Sequence, residues 1–226
     1  MQWKALKAAA AEDAVVSSFF DDVYFFGKQN QVKGALQAYE MEAHEIGLST
    51  NPSKSEGFMV ADGDPHYEPF LLLDAAGKEV EVPFSQDGIV CAGRPVGTEE
   101  FCRRQMEKGL EKAELAIAAV NKLHKKSSKL LLLRECVSEK LSHLFRAVLP
   151  QIALPFALRL EEMLRVEIAK ILEIDLGDLP DHVLQRFLLP IREGGLGFHS
   201  MEPRVHAAFV AGWAELAHCA KQKQIP

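Results

Sequence analysis

Cysteine is scarce in this chain. Only Cys91, Cys102, Cys136 and Cys219 occur, and no two of them stand at C-x-x-C spacing. The eight histidines form no ligand constellation with them. A structural zinc site is therefore not expected, and reduced, mostly buried thiols are. Long apolar runs are also missing. None approaches the roughly 18 to 20 residues that cross a bilayer, so no membrane partner is expected. The first ten residues, Met1 to Ala10, are too weakly apolar for a signal peptide, which points to an intracellular location, nuclear or cytoplasmic. There is no surplus of positive charge: 26 Lys and Arg face 32 Asp and Glu, a net charge of -6. That argues against a wholly basic nucleic-acid binder. No internal repeat or low-complexity tract stands out.

What is present suits a globular protein. With 226 residues, 48% of them hydrophobic, the chain can bury one sizeable core, or a small core with an appended bundle. Its charge is uneven. Residues 1–97 hold 7 Lys and Arg against 15 Asp and Glu, whereas residues 98–226 hold 19 against 17. An acidic half beside a slightly basic half suits a metal site next to an element that faces a polyanion.

The hydrophobic pattern also changes near Gly97, which divides the chain into two expected domains, 1–97 and 98–226. Before Gly97, short apolar runs alternate with turn residues. Ala14 to Phe20 and Val23 to Phe26 read as two strands of a tight hairpin, separated by Asp21 and Asp22. Gln29 to Ile46 reads as a helix with Val32, Leu36, Tyr39, Ala43 and Ile46 on one face, stopped by Gly47. Asn51-Pro52 marks a turn. Ser55 to Val60 can be a strand, and Asp62 to Pro69 a loop. Phe70 to Leu73 and Lys78 to Val82 form an expected hairpin, and Ile89 to Ala92 a last strand before the turn Gly93 to Gly97.

After Gly97 helical periodicity dominates. Thr98 is an expected N-cap for a helix to about Leu123 that buries Cys102, Met106, Leu110, Ala113, Ile117 and Val120. Further helices are expected at about Ser127 to Val148, Pro155 to Leu172, Pro180 to Leu189 and Pro203 to Cys219. Gly194 to Gly197 is an expected tight turn, and Lys221 to Pro226 a frayed tail. The fold class is thus α+β: a small antiparallel sheet with a packed helix, followed by an α-helical bundle.

Three features could carry chemistry. The first is the Asp21-Asp22 hairpin tip. Adjacent carboxylates on a rigid turn offer hard oxygen ligands that suit magnesium, although a solvated Asp-Asp turn has the same appearance. The second is Gly47 to Ser55, where Lys54 could reach a nucleotide phosphate or simply be solvated. The third is Gly93-Arg94-Pro95-Val96-Gly97, whose glycines permit close approach to a nucleic-acid backbone or make a plain connection. Among the basic residues, Arg104, Lys108 and Lys112 recur at i, i+4, i+8, and Lys125 and Lys126 cluster at the next connection with Lys122, His124 and Lys129. They could track phosphates or form a solvated face, since Glu100, Glu107, Glu111 and Glu114 are interspersed. His199 and His206 read as packing or surface residues.

The order of these features resembles the later palm motifs of reverse transcriptases. The run Phe19-Phe20-Asp21-Asp22-Val23-Tyr24, the helix, Gly47-Leu48-Ser49-Thr50-Asn51-Pro52-Ser53-Lys54-Ser55, and then Gly93 to Gly97 is most similar to the polymerases of non-LTR (LINE-type) retrotransposons. Leu130 to Cys136 and Leu188 to Phe198 extend the likeness, which covers about residues 14–217.

The resemblance implies an RNA-directed DNA polymerase, a nucleotidyltransferase that needs Mg2+ or Mn2+ and binds an RNA template and a DNA primer. It makes Asp21 a metal ligand with Asp22 beside it, and places Lys54 near the incoming nucleotide. Residues 91–97 become the primer-grip region. Residues 98 to about 173 become the thumb, with Gly93, Arg94, Arg104, Lys108, Lys112, Lys125 and Lys126 along the nucleic acid. The sequence departs from the family in two ways. Phe19 replaces the usual Tyr of the Tyr-x-Asp-Asp box. An earlier catalytic Asp, a Gln-Gly-x-Pro-type segment and the template-binding fingers do not precede Ala14, and Glu12 and Asp13 are poor substitutes for that Asp.

The expectation is therefore a polymerase fragment that holds half of a metal site and is inactive alone, with a second chain as a possible source of the missing half. The alternative is a non-enzymatic nucleic-acid-binding or protein-interaction module derived from a polymerase.

Overall fold

The computed structural model describes residues 2–10, 14–19, 21–59, 69–74, 77–175 and 180–223. The expected loop at Asp62 to Pro69 lies outside them except for Pro69. So do Glu12, Asp13, Phe20, Val60 and the last three residues of the tail. The chain is a mixture of helices and short strands and divides into two compact units, Met1–Ala92 and Gly93–Pro226. Among the described residues, no helix is long and apolar enough to cross a membrane.

In the first unit a helix that the sequence pattern did not signal, α1 (Gln2–Ala10), packs on α2 (Gln29–Glu45). The contact is built largely from small residues: Ala5, Ala9, Ala14, Ala35 and Ala43 are buried, with Tyr39 as the one large member. Strands β1 (Val15–Phe19) and β2 (Asp22–Phe26) form the expected antiparallel hairpin. Val16, Val23 and Phe25 lay one face of it on this alanine layer, and Phe25 meets Tyr39 edge-on at 5.8 Å. The other flank of α2 offers Val32 and Leu36 to a second small cluster, Phe70, Leu72 and Val82. The single apolar face expected on α2 therefore serves two clusters.

The remaining strands are short. After the single 3-10 turn Pro52–Lys54 come β3 (Gly57–Phe58), β4 (Leu71–Leu73), β5 (Glu79–Glu81), β6 (Phe84–Ser85) and β7 (Gly88–Cys91). β4 and β5 pair antiparallel as expected, whereas β3 and β6 pair parallel. The described strands pair in twos, so the expected antiparallel strands lie in small separate sheets. Runs of two to three residues exchange too few hydrogen bonds to extend a sheet on their own.

The second unit opens with β8 (Arg94–Gly97), a strand where a turn was expected. The turn falls one step earlier, at Ala92 and Gly93, which adopt φ of 48° and 74°. Thr98 then caps α3 (Glu99–Asn121), its Oγ1 accepting the Phe101 N–H at 3.2 Å. All six residues expected inside this helix are buried.

The next expected helix is broken. It runs as α4 (Lys126–Leu132), widens into a π turn at Leu133–Val137, and resumes as the single turn α5 (Ser142–Phe145). The Ser138 N–H reaches back five residues to the Leu133 carbonyl at 3.0 Å, and the buried Ser138 hydroxyl donates to the Arg134 carbonyl. That side-chain bond competes with the regular ladder and widens the helix there.

α6 (Pro150–Leu172) starts five residues before its expected start, because Pro150 opens it and Pro155 lies inside it. The short α7 (Asp181–Gln185) and the 3-10 turn Ile191–Glu193 lead to Gly194 and Gly197, both at positive φ. α8 (Met201–Lys223) then packs on α5 and α6. The Glu161 carboxylate of α6 accepts the Met201 N–H at 2.7 Å, satisfying the start of α8. The core of the unit gathers Met106, Leu110, Leu133, Leu141, Phe145, Leu160 and Val205 with their neighbours.

The thiol expectation needs correction. Cys102 is buried and Cys91 half-buried, but Cys136 is exposed because it sits on the outer side of the π turn. Burial, with Glu56 and Glu99 respectively, pushes the Cys91 and Cys102 thiols up, so both stay protonated.

Candidate functional site

The acidic hairpin is shifted by one residue from its expected form. Phe19 pairs directly with Asp22, so Asp22 is the first residue of β2 and Asp21 precedes the strand. The two carboxylates therefore sit on different parts of the backbone, one at the tip and one in the strand. Both are exposed.

Strand alternation sorts the rest of β2. Val23 and Phe25 face the alanine layer, while Asp22, Tyr24 and Phe26 share the opposite face, with the Tyr24 and Phe26 rings stacked at 6.5 Å.

On that face the Tyr24 hydroxyl makes two hydrogen bonds. It donates to Asp22 Oδ2 at 3.3 Å and accepts the Ala92 N–H at 2.8 Å. Burial raises the Tyr24 pKa; the Ala92 hydrogen bond opposes this, and the Asp22 charge adds to it. The phenol stays protonated and remains a donor toward Asp22. One side chain thus ties the acidic strand to the end of β7, 68 residues away in sequence. Tyr24 was not among the expected site residues. Its place two residues beyond Asp22 on a strand was the available signal, because that spacing puts both on one face.

Lys54 is the last residue of the 3-10 turn, whose cap is Asn51: the Asn51 side chain accepts from the Ser53 N–H at 3.1 Å. Lys54 is exposed, and among the described residues no contact joins it to Asp21 or Asp22. No group of three His, Cys, Asp or Glu side chains that could hold a metal ion occurs among the described residues. Asp21 and Asp22 are nonetheless hard oxygen donors of the kind magnesium or manganese takes, with only part of a coordination shell between them.

The basic candidates belong to the second unit. Arg94 is exposed on β8, next to the buried Pro95. Arg104, Lys108 and Lys112 are exposed along α3, and the Arg104 guanidinium lies 5.7 Å from the Phe101 ring centre. Among the described residues, neither Lys108 nor Lys112 pairs with a carboxylate, whereas the interspersed Glu107 is taken by Arg159 of α6 at 2.9 Å. The charges of Lys112 and Arg94 act on His143 of α5, which the sequence had not singled out. Burial, then Lys112, then Arg94 hold the His143 pKa below its usual value.

The connection after α3 is less open. Lys125 is the residue before α4 and is exposed, but Lys126 pairs with Glu173 at 2.8 Å. Lys126 is thus occupied by a carboxylate at the end of α6. A cavity of about 280 Å3 in the same unit, between α6 and residues 185–199, contains none of the expected site residues.

No protein-family model matches the chain, and no curated protein or solved structure matches it either.

Proposed function

We propose that these residues form the later palm and the thumb of an RNA-directed DNA polymerase of the retrotransposon type, a reverse transcriptase. One observation carries the proposal: the Tyr24 hydroxyl bonds both Asp22 and the Ala92 N–H, joining the acidic hairpin to the residue that follows β7. A polymerase needs its metal ligands and the primer end held in fixed register, and this contact ties the acidic strand to the first residues of the 91–97 region, within the first unit.

In this assignment Asp21 and Asp22 hold Mg2+ or Mn2+. When bound, the ions supply the charge that aligns an attacking hydroxyl with a leaving phosphate. Lys54 serves the nucleotide phosphates, and Gly93, Arg94, Arg104, Lys108, Lys112 and Lys125 follow the backbone of the template–primer duplex. Lys126 joins them only if it leaves Glu173. Two carboxylates cannot complete the oxygen shells of two ions. The 226 residues alone are therefore inactive, and a further carboxylate-bearing strand, in cis or on a second chain, completes the site.

Amide NMR during a manganese titration tests the metal half-site. Broadening centred on Asp21 and Asp22, lost in the D21N/D22N double variant, is expected; a titration that leaves both amides sharp refutes it. Primer extension on an RNA template with either ion should give no product. Robust extension would overturn the inactivity.

A second reading, a non-enzymatic nucleic-acid-binding module, is favoured by Lys108 and Lys112, which are exposed on α3 and pair with no carboxylate among the described residues. It predicts salt-dependent binding of an RNA–DNA hybrid without manganese broadening at the hairpin. If no such binding occurs, a protein-interaction module remains.

A further inference from the structure

α8 (Met201–Lys223) carries two apolar faces, and the bundle covers one of them. On the covered face Met201 and Val205 are buried in the core, and Ala208 packs against it. The next residue along that face is Gly212, where an added Cβ would lie 2.5 Å from the Arg146 carbonyl oxygen. Glu215 then pairs with the Arg146 guanidinium. Backbone contact and this ion pair hold α8 in one rotation, so it cannot turn to hide its other face.

The other face follows a heptad. Glu202, His206, Phe209, Trp213 and Leu216 recur at steps of four and three, which align them along one seam. The Phe209 and Trp213 rings meet edge-on at 6.0 Å. Trp213 is 55% exposed, Leu216 57%, and Val210 beside the seam 65%. A helix that turns side chains of this size to water presents an interaction surface.

Symmetry, charge and area select the partner. The same spacing continues through Ala220 to Lys223, the last residue of the helix. The seam is therefore symmetric about Trp213: laid against its own reverse, it sets Phe209 opposite Leu216 and Glu202 opposite Lys223. Glu202 is exposed, while its neighbour Arg204 is taken by Glu139, so the seam starts acidic and ends basic. We infer that α8 pairs antiparallel with α8 of a second copy of this chain, about a two-fold axis near Trp213. A parallel pair sets Glu202 on Glu202 and Lys223 on Lys223, which like-charge repulsion disfavours. The exposed parts of Val210, Trp213 and Leu216 amount to about 350 Å2 of apolar surface per copy. Homodimer interfaces are about 65% apolar, so the pair buries about 1,100 Å2 in all. That lies at the low end of specific interfaces, and the dimer is a reversible one with a Kd on the order of 10 μM. This inference goes beyond the proposed function and does not rest on it.

Sedimentation velocity of the full chain over about 1 to 200 μM reads the association. Reducing conditions keep the exposed Cys136 from linking copies. The wild type is expected to pass from monomer to dimer across this range. Trp213→Ser should weaken the dimer by about thirtyfold or more, because the side chain is lost from the centre of the interface in both copies. Leu216→Ser, at a second exposed position, gives an independent reading should Trp213→Ser alter the far-UV circular dichroism. Glu202→Lys should weaken the dimer about three- to tenfold, since the contact occurs twice, and the Glu202→Lys/Lys223→Glu double variant should restore it.

A wild-type chain that stays monomeric at about 200 μM overturns the inference. So does a dimer that neither serine variant weakens, because its interface then lies elsewhere. A dimer that Trp213→Ser abolishes but Glu202→Lys leaves unchanged overturns the antiparallel pairing.

Discussion

Replacing Gly109 with alanine sets two known effects against each other. In a solvent-exposed helix interior, Gly→Ala stabilises by about 1 kcal/mol through backbone propensity. Gly109, however, is buried under the α5 turn. The new Cβ would lie 2.6 Å from Leu141 Cδ2, while carbon contacts are most favourable at roughly 3.5–4.0 Å. The leucine methyl must retreat by about 1 Å. Leu141 is 0% exposed, so it retreats into occupied space. Overpacking of this kind costs about 1–3 kcal/mol. The net expectation is destabilisation of the helical unit by about 1 kcal/mol. Urea unfolding followed by far-UV circular dichroism reads this directly as a lower midpoint with an unchanged slope. Leu141→Ala supplies the control: alone it should cost about 2–5 kcal/mol, and combined with G109A it should cost less than the sum of the two, because the added methyl occupies part of the vacated volume. If G109A raises the midpoint as it would at an exposed position, the close packing of Leu141 and Leu144 on α3 is wrong.

Two further outcomes follow from other contacts. Burial pushes the Glu139 carboxyl up, but the Arg204 guanidinium, the Ser142 hydroxyl and the His199 charge outweigh it and hold its pKa below the usual carboxylate value. A depressed folded pKa gives stability that is fully present above the unfolded pKa and is lost as pH falls through the folded one, so acid unfolding curves should flatten in Glu139→Gln below about pH 4.5; an unaltered curve would show that the Arg204 pair contributes nothing. Tyr24→Phe removes the hydroxyl that accepts from Ala92, and the Ala92 amide should exchange about fivefold faster, as expected for the loss of one hydrogen bond; unchanged exchange would remove the link between β2 and β7.

The sequence was most readable where large apolar residues recur over many turns. In α3 every expected core position is buried, because a 23-residue helix with six periodic apolar residues has one way to face its neighbours. α1 was invisible for the opposite reason. Its buried contacts are Ala5 and Ala9, which carry almost no hydrophobic signal but allow a close helix approach. The break at Ser138 was equally silent, since a hydroxyl bonding its own helix leaves no periodic trace.

Prolines misled in both directions. Pro150, left outside the expected helices, starts α6, and Pro155, its expected start, lies inside. Within the candidate site, the pairing of Phe19 with Asp22 depended on a one-residue register that alternation alone does not fix. The effect of the Lys112 and Arg94 charges on His143 could not have been read from spacing, because it depends on the packing of β8 against α3 and α5.

The internal proline of α6 has a consequence for how that helix opens. Pro155 has no N–H to give the Gln151 carbonyl, and both residues face water. The hydrogen-bond ladder is therefore interrupted one turn from its start, and the turn from Pro150 to Leu154 can melt without drawing the remaining 18 residues with it. α6 behaves as a short latch in series with a long strut. The latch still carries the buried Ile152 and Ala153, so its transient release would uncover apolar surface at the start of the helix while the strut holds the rest of the bundle closed.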